Sequence, residues 1–430
     1  MKNRLYCFLI LILLLCQNIL FAQDINYAKF LISNLASPEF KGRGYVGNGV
    51  RVAAGFIKVE LDSLHINPAF NDSYFQEFTV SANTFPQEIT VKMDNEELKP
   101  AVDFLVESSC PPIQGKFGVK YISRKDLTSD NKLSRALLNS EVSFLLIDNS
   151  DKSGETIAQS KKTDDIINFL KYSNQISLKG VIIYSPEKLT WDASAFQNIR
   201  PVVILNKVMN LSAIHNVVIS VKSKFIRKYK TQNIAAYFPG SVCPDSFIVL
   251  TAHYDHLGMF GPDIYFPGAN DNASGVAMLL NLAKYYSVNK PKYTILFVAL
   301  SAEELGILGA RKFVEYPPID LKKVKFMINF DLAGTGDEGI KVVNGSVYPK
   351  EYNLLKKLND QSNLLPKVES RGKACNSDQC AFDEKGVPGF YIYTLGGIKA
   401  YHDIYDRYET LPLTEFTDYC KLMIEFIGSL

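Results

Sequence analysis

Only five histidines occur in 430 residues, yet two of them stand three positions apart in IVLTAHYDHLG, the stretch from Ile248 to Gly258. His253, Asp255 and His256 appear there just as an apolar run ends. Further on come Asp271 in PGANDNASG, the pair Glu303 and Glu304 after ALSA, Asp331 closing INFDL, and His402 in YHDIYDRYET. Taken singly these residues have ordinary explanations. An aspartate at a helix start caps backbone N–H groups, a glutamate pair is a solvated helix end, and a lone histidine is a satisfied surface or core residue. Brought together they would repel one another or be desolvated without compensation, unless something cationic sat among them. A divalent metal pair supplies that compensation. Imidazole nitrogen and carboxylate oxygen form a donor set suited to zinc, which binds them at ~2.0–2.2 Å and keeps an open position at catalytic sites.

Such residues need a scaffold that gathers them. IVLTAHY, YTILFVALS, VKFMINFDL and GFYIYT are continuously apolar, as strands buried on both faces are, and helical patterns over 276–286 and 304–314 lie between them. The implied fold is α/β, with a mixed, mostly parallel central sheet flanked by helices. Ligands of such sheets collect at the carboxyl ends of the strands, where these polar residues stand. Upstream, a helix, the glycine-rich segment KGRGYVGNG and a second helix over 50–64 precede the sheet. No strand leads into those glycines and no GK[ST] follows them, which excludes a phosphate cradle. From 79 to 230 the pattern changes to short β-like runs (FGVKYIS, VSFLLID, GVIIYS) separated by polar stretches such as NSDKSGETIAQSKKTDD. This reads as a β-rich domain inserted into a unit formed by 23–78 and 231–430. KSKFIRKYK, at 222–230, reads as a charged strand edge, because 47 basic against 45 acidic residues offer no case for a polyanionic partner such as nucleic acid.

The motifs AHYDHLG, GANDNASG, SAEELGILGA, NFDLAG and the late His402 resemble the metallopeptidase family of bacterial two-zinc aminopeptidases, metallopeptidase family twenty-eight. The resemblance implies a zinc-peptidase/phosphorylase-type fold and two Zn2+ per chain. One ion would be held by His253 and Asp331, the other by Glu304 and His402, with Asp271 bridging them. Glu303 would be the general base. Asp255 would hold the second ring nitrogen of His253 and fix its tautomer. His256 has no ligand role in this scheme and is expected either behind the ligands, in contact with one of them, or at the rim. The chain departs from the family pattern at Gln379, where histidine is usual, and at Tyr401-His402-Asp403; Asp406, four residues after His402, could orient it. The insertion resembles a protease-associated domain. GTGDEG, from Gly334 to Gly339, has dinucleotide-loop glycines but leads into a strand pattern, so it reads as a turn beside the metal site.

Lys2 and Arg4, the apolar run Leu5 to Leu15 and the small residue Ala22 lay out a secretory signal over 1–22, giving an exported, periplasmic or extracellular protein with no membrane-spanning segment once the signal is removed. Of seven cysteines, Cys375 and Cys380 are close enough to bridge a loop, and spacing alone leaves bridged and free forms equally open. The reading that unites these features is an exported zinc exopeptidase acting on peptide N-termini, its selecting pocket built from the 375–380 loop and Tyr401. A single-zinc acyltransferase of the glutaminyl cyclase kind, a carboxypeptidase or dipeptidase, and a non-catalytic binding protein remain as alternatives. The complete glutamate pair and ligand set favour the peptidase.

Overall fold

The computed structural model of the chain describes residues 24–138 and 141–430; the expected export signal lies outside these residues. Among the described residues, no helix is long and apolar enough to cross a membrane.

A nine-stranded sheet forms the centre of the first unit among the described residues. Its middle is parallel: Tyr293–Leu300 pairs with Cys243–His253, then Val324–Phe330, then Gly389–Leu395. Antiparallel neighbours flank this core, Lys224–Phe238 on one side and Gly339–Val343 on the other. The apolar runs form strands here because both faces are covered: Ile248, Val249, Leu250, Leu296, Phe297 and Ile328 are wholly buried. Helix Gly275–Val288 packs on one face, and helix Ile25–Leu35 packs on that helix in turn, capped by the Asp24 carboxylate, which accepts from the Asn26 and Tyr27 N–H groups.

The glycine-rich segment owes its composition to crowding. A Cβ on Gly44 would stand 2.4 Å from the Cα of Gly258, and one on Gly42 would stand 2.6 Å from the Gly258 carbonyl oxygen. Only bare backbone can lie this close to the loop that leaves the His253 strand.

Among the described residues, the second unit has an eight-stranded sheet whose centre is also parallel, running Ile113–Ser123, Ser143–Asp148, Gly180–Tyr184, Val202–Leu205. The short β-like runs FGVKYIS, VSFLLID and GVIIYS lie largely on the first three of these strands. The polar stretch after Asp148 contains helix Ile157–Tyr172, which opens with a reciprocal capping box between Thr156 and Gln159. The T-x-x-Q signature was the local cue to that helix. The expected boundaries at 79 and 230 fall within strands: Phe75–Thr84 and Lys224–Phe238 pair with each other as part of the first sheet. The chain therefore passes between sheets beyond Thr84 and before Lys224. The basic run KSKFIRKYK belongs largely to this paired strand.

The helix expected over 304–314 begins later, at Leu308. Before it, the Gly306 and Ile307 N–H groups donate to the Glu303 carbonyl, closing a turn with Ala302, Gly306 and Ile307 at positive φ. Glu303 and Glu304 consequently leave the sheet on a loop and not on a helix face.

Candidate metal centre

The five expected ligands converge at the carboxyl ends of the parallel strands, around a cavity of about 290 Å³. His253 ends its strand, Glu303 and Glu304 follow Tyr293–Leu300, and Asp331 follows Val324–Phe330. Asp271 faces both imidazoles: its Oδ1 lies 3.5 Å from His253 Nε2 and its Oδ2 lies 3.0 Å from His402 Nε2. His253 Nε2 is also 3.4 Å from Asp331 Oδ1, and His402 Nε2 is 3.5 Å from Glu304 Oε2. One carboxylate thus stands between two pairs, His253 with Asp331 and His402 with Glu304. A larger cleft of about 680 Å³, lined by Glu77, Arg311 and Glu384, contains none of these residues.

Asp271 does not cap a helix. It lies in the irregular turn Ala269–Ser274, and the asparagines beside it pin that turn to the strand carrying Asp331. Asn272 Nδ2 donates to the Phe330 carbonyl, while Asn270 Oδ1 accepts from the Gly334 N–H. GTGDEG is accordingly part of the loop that braces this turn. Asp331 is aimed through a buried polar chain: Thr251 donates to Asn329, Asn329 to Ser377 Oγ, and Ser377 to Asp331 Oδ2. Four non-glycine residues at or beside the site, Ala302, Ile307, Leu332 and His402, adopt left-handed backbone. Each such conformation costs on the order of 1–3 kcal/mol and persists only where its surroundings enforce it.

Several expected roles are redistributed. The ring Nδ1 of His253 meets the backbone carbonyl of Asp255 at 3.2 Å, whereas the Asp255 carboxylate is 3.9 Å away. That carboxylate instead accepts from the Glu303 N–H at 3.1 Å and from the Tyr45 hydroxyl at 3.0 Å, so it anchors the backbone of the expected base. Asp406 does not reach the His402 ring in this arrangement; it accepts from the Asn270 and Asp271 N–H groups at 2.8 and 2.9 Å. Of the two places expected for His256, beside the ligands or at the rim, the structure shows the first: it is fully buried with Nδ1 2.8 Å from Glu304 Oε1. Cys375 and Cys380 form a disulfide, which closes the loop carrying Asn376 and Ser377.

Tyr45, Thr251 and Asn329 had no role in the sequence reading, and neither did two more distant partners. Arg43, inside the glycine-rich segment, is fully buried and donates to the carbonyls of Leu35, Tyr254, Pro267, Gly268 and Asp271. Asp192 meets His402 Nδ1 at 3.1 Å from the second unit. No local pattern marks either residue.

The electrostatics describe a site with an excess of carboxylates. Burial raises the Glu304 carboxyl to about 8 and the Asp378 carboxyl to about 8, and burial together with neighbouring acids takes Glu303 well above its usual range despite the opposing charge of His253. Burial alone would neutralise His402, but Glu304, Asp192 and Asp271 hold its proton up to about 12. Asp331 Oδ1 is buried with no hydrogen-bond partner. Ligand atoms of His253, Asp271 and Glu304 lie within 4.8 Å of one another. This donor set fits divalent zinc: imidazoles and carboxylates, buried, close together and rich in acidic groups, whose protons a metal would displace.

Residues 233–427 match the description "Peptidase family M28", and the chain carries a domain of that family. The chain is 26% identical over 216 residues to a probable aminopeptidase of Saccharomyces cerevisiae, YDR415C, covering 47% of this chain and 58% of the yeast protein. It is 36% identical over 123 residues to a probable zinc metalloprotease of Pyrenophora tritici-repentis, covering 28% of this chain and 27% of that protein. It is 27% identical over 217 residues to the aminopeptidase YwaD of Bacillus subtilis, covering 49% and 46%. The matched stretches thus span only part of these relatives. Structural likeness extends further: a zinc aminopeptidase from Bacillus subtilis superposes with a TM-score of 0.68 at 20% identity over 94% of both chains. A peptidase M28 precursor from Shewanella amazonensis gives 0.70 at 14% identity over 95% of this chain and 93% of that one. At these identities the likeness is one of fold, and that fold is the expected mixed α/β arrangement.

Proposed function

We propose that the protein is an exported two-zinc aminopeptidase that removes N-terminal residues from peptides. The observation that carries this reading is the placement of Asp271, with one carboxylate oxygen toward His253 and the other toward His402. On it, His253 and Asp331 would hold one ion, Glu304 and His402 the other, and Asp271 both. When bound, the zinc pair would polarise the scissile carbonyl and lower the pKa of the attacking water.

The chain's own groups do the rest. The Glu303 carboxylate takes the proton of that water and returns it to the leaving amine. Its position depends on Asp255, which holds the Glu303 N–H. Tyr391, Tyr401, Ile307 and Asn376 line the cavity and would contact the substrate's first side chain. The names of the aminopeptidase relatives support the reaction class. Export rests on the sequence of 1–22, and the Cys375–Cys380 disulfide supports an oxidising compartment.

The test is metal content by mass spectrometry on the purified chain, paired with amino-acid release from a free and an N-acetylated leucyl peptide. Two zincs per chain and cleavage of the free peptide alone are expected, with Glu303→Gln keeping the metal and losing turnover by about 10²- to 10⁴-fold. One zinc with cyclisation of N-terminal glutamine peptides, or cleavage of the acetylated peptide, would replace this reading.

A further inference from the structure

The loop that carries His402 is held from outside its own unit. Lys188 Nζ donates to the carbonyls of Lys399 and Tyr401 at 2.8 and 2.9 Å and pairs with Asp403 Oδ2 at 2.5 Å. The Trp191 N–H donates to the His402 carbonyl at 2.8 Å, and Asp192 Oδ1 faces His402 Nδ1 at 3.1 Å. All three donors and acceptors come from one short segment of the second unit.

That segment is itself anchored. The Trp191 indole N–H donates to the Val106 carbonyl, and its ring stacks on Phe266 and meets the edge of Phe260, with centroids 4.9 and 5.2 Å away. Phe260 and Phe266 lie on the connection between His253 and Asp271, yet they are buried in the core of the second sheet with Leu257, and Ile404 packs against the same core. The second unit therefore grips both the loop before Asp271 and the loop around His402.

Stability does not explain Asp192. Its side chain is 76% exposed, and exposed ion pairs contribute about 0–1 kcal/mol. Its position has a clearer consequence for the imidazole. A histidine binds metal through the nitrogen that lacks a proton, and a carboxylate at the other nitrogen selects that tautomer.

We propose that segment 188–192 of the second unit is a built-in part of the metal centre: Asp192 is a positioning residue that keeps the His402 proton on Nδ1 and turns Nε2 toward Asp271 and Glu304, while Lys188 and Trp191 fix the main chain beneath it. This inference rests on the two-zinc reading above. It gives the second unit a role in metal retention, exerted from behind His402.

The experiment measures zinc affinity by chelator competition for wild type, Asp192→Asn, Asp192→Ala and Lys188→Ala, with zinc alone as probe, together with hydrogen exchange of the 399–403 amides. Asp192→Ala is expected to weaken binding of the zinc that His402 and Glu304 would hold about 10- to 100-fold. Asp192→Asn, whose amide oxygen still accepts from Nδ1–H, should recover part of that loss. Peptide hydrolysis by Asp192→Ala should return toward wild type in excess zinc, which a merely structural defect would not allow. Lys188→Ala should speed exchange at 399–403. Because Asp192 is exposed, its replacements leave folding intact. Wild-type zinc affinity in Asp192→Ala, or unchanged exchange in Lys188→Ala, overturns the proposal while leaving the two-zinc reading standing. A wild-type chain that binds no zinc and cleaves no peptide defeats the functional reading itself.

Discussion

Arg43 donates to the carbonyl oxygen of Asp271 at 3.1 Å across 228 positions of sequence. The same guanidinium bonds the carbonyls of Tyr254 and Gly268, so one buried cation ties together the two segments that carry His253 and Asp271. Burial lowers its pKa to about 10 against the raising effect of Asp271, Asp406 and Asp255, which leaves it charged at neutral pH.

Replacing Arg43 should therefore damage both stability and metal binding. Lysine keeps the charge but has three donors and no planar fork, so carbonyls now served by five bonds would lose partners. Each buried group left unsatisfied costs roughly 1–3 kcal/mol. Arg43→Lys is expected to lose on the order of 3 kcal/mol in denaturant unfolding and to bind less zinc; a variant with wild-type midpoint and zinc content would show that the carbonyl cluster does not depend on the guanidinium.

His256 supports Glu304. With the carboxylate ionised, the 2.8 Å contact requires the proton on His256 Nδ1, and burial holds this ring neutral by taking its pKa well below the usual value. His256→Ala should weaken zinc binding about 10- to 100-fold, as loss of an outer partner does, and should lower kcat/KM to match at limiting zinc. Isothermal titration with zinc decides this, and an unchanged affinity would return His256 to a packing role.

Metal removal should make stability fall with rising pH. Glu304 and Asp378 carry carboxyls raised to about 8 by burial, so the folded, metal-free chain retains protons that the unfolded chain releases near pH 4–4.5. A raised acid contributes its stability below the unfolded pKa and loses it as pH climbs through the folded value. The unfolding midpoint of the metal-free chain should drop between about pH 4.5 and 8, whereas zinc, taking the place of the Glu304 proton and adding positive charge near Asp378, should flatten or reverse the trend. Thermal scans with and without chelator across that window test it.

The Cys375–Cys380 disulfide should shape substrate choice more than turnover. It closes a six-position loop that places Asn376 in the cavity wall and Ser377 against Asp331. In the chain-entropy account so short a loop gains on the order of 2 kcal/mol. The double variant Cys375→Ser, Cys380→Ser should keep its zinc, raise KM and change the ranking of N-terminal residues. Identical rankings across a panel of aminoacyl peptides would remove this loop from the selecting pocket.

The contrast between what was readable and what was not follows the range of the interactions. Continuous apolar runs such as IVLTAHY and YTILFVALS announce buried parallel strands, because burial on both faces is encoded residue by residue along one stretch. Placing His253, Glu303, Glu304 and Asp331 at strand ends follows from the same local pattern, and their chemistry from residue type. The capping box at Thr156 and Gln159 was equally local, hidden only by the polarity around it.

What tertiary structure alone decided is the identity of each polar partner. Asp406 reaches the Asp271 N–H across 135 positions, Asp192 reaches His402 across 210, and Arg43 reaches Asp271 across 228. Even over short spans it chose between equivalents, giving His253 the carbonyl of Asp255 and sending the carboxylate to Glu303 and Tyr45. A side chain's type states which bonds it can make, and the chain carries that information by itself. Which acceptor stands within 3 Å depends on how separate loops close over a shared core, and that is settled only when the two sheets pack.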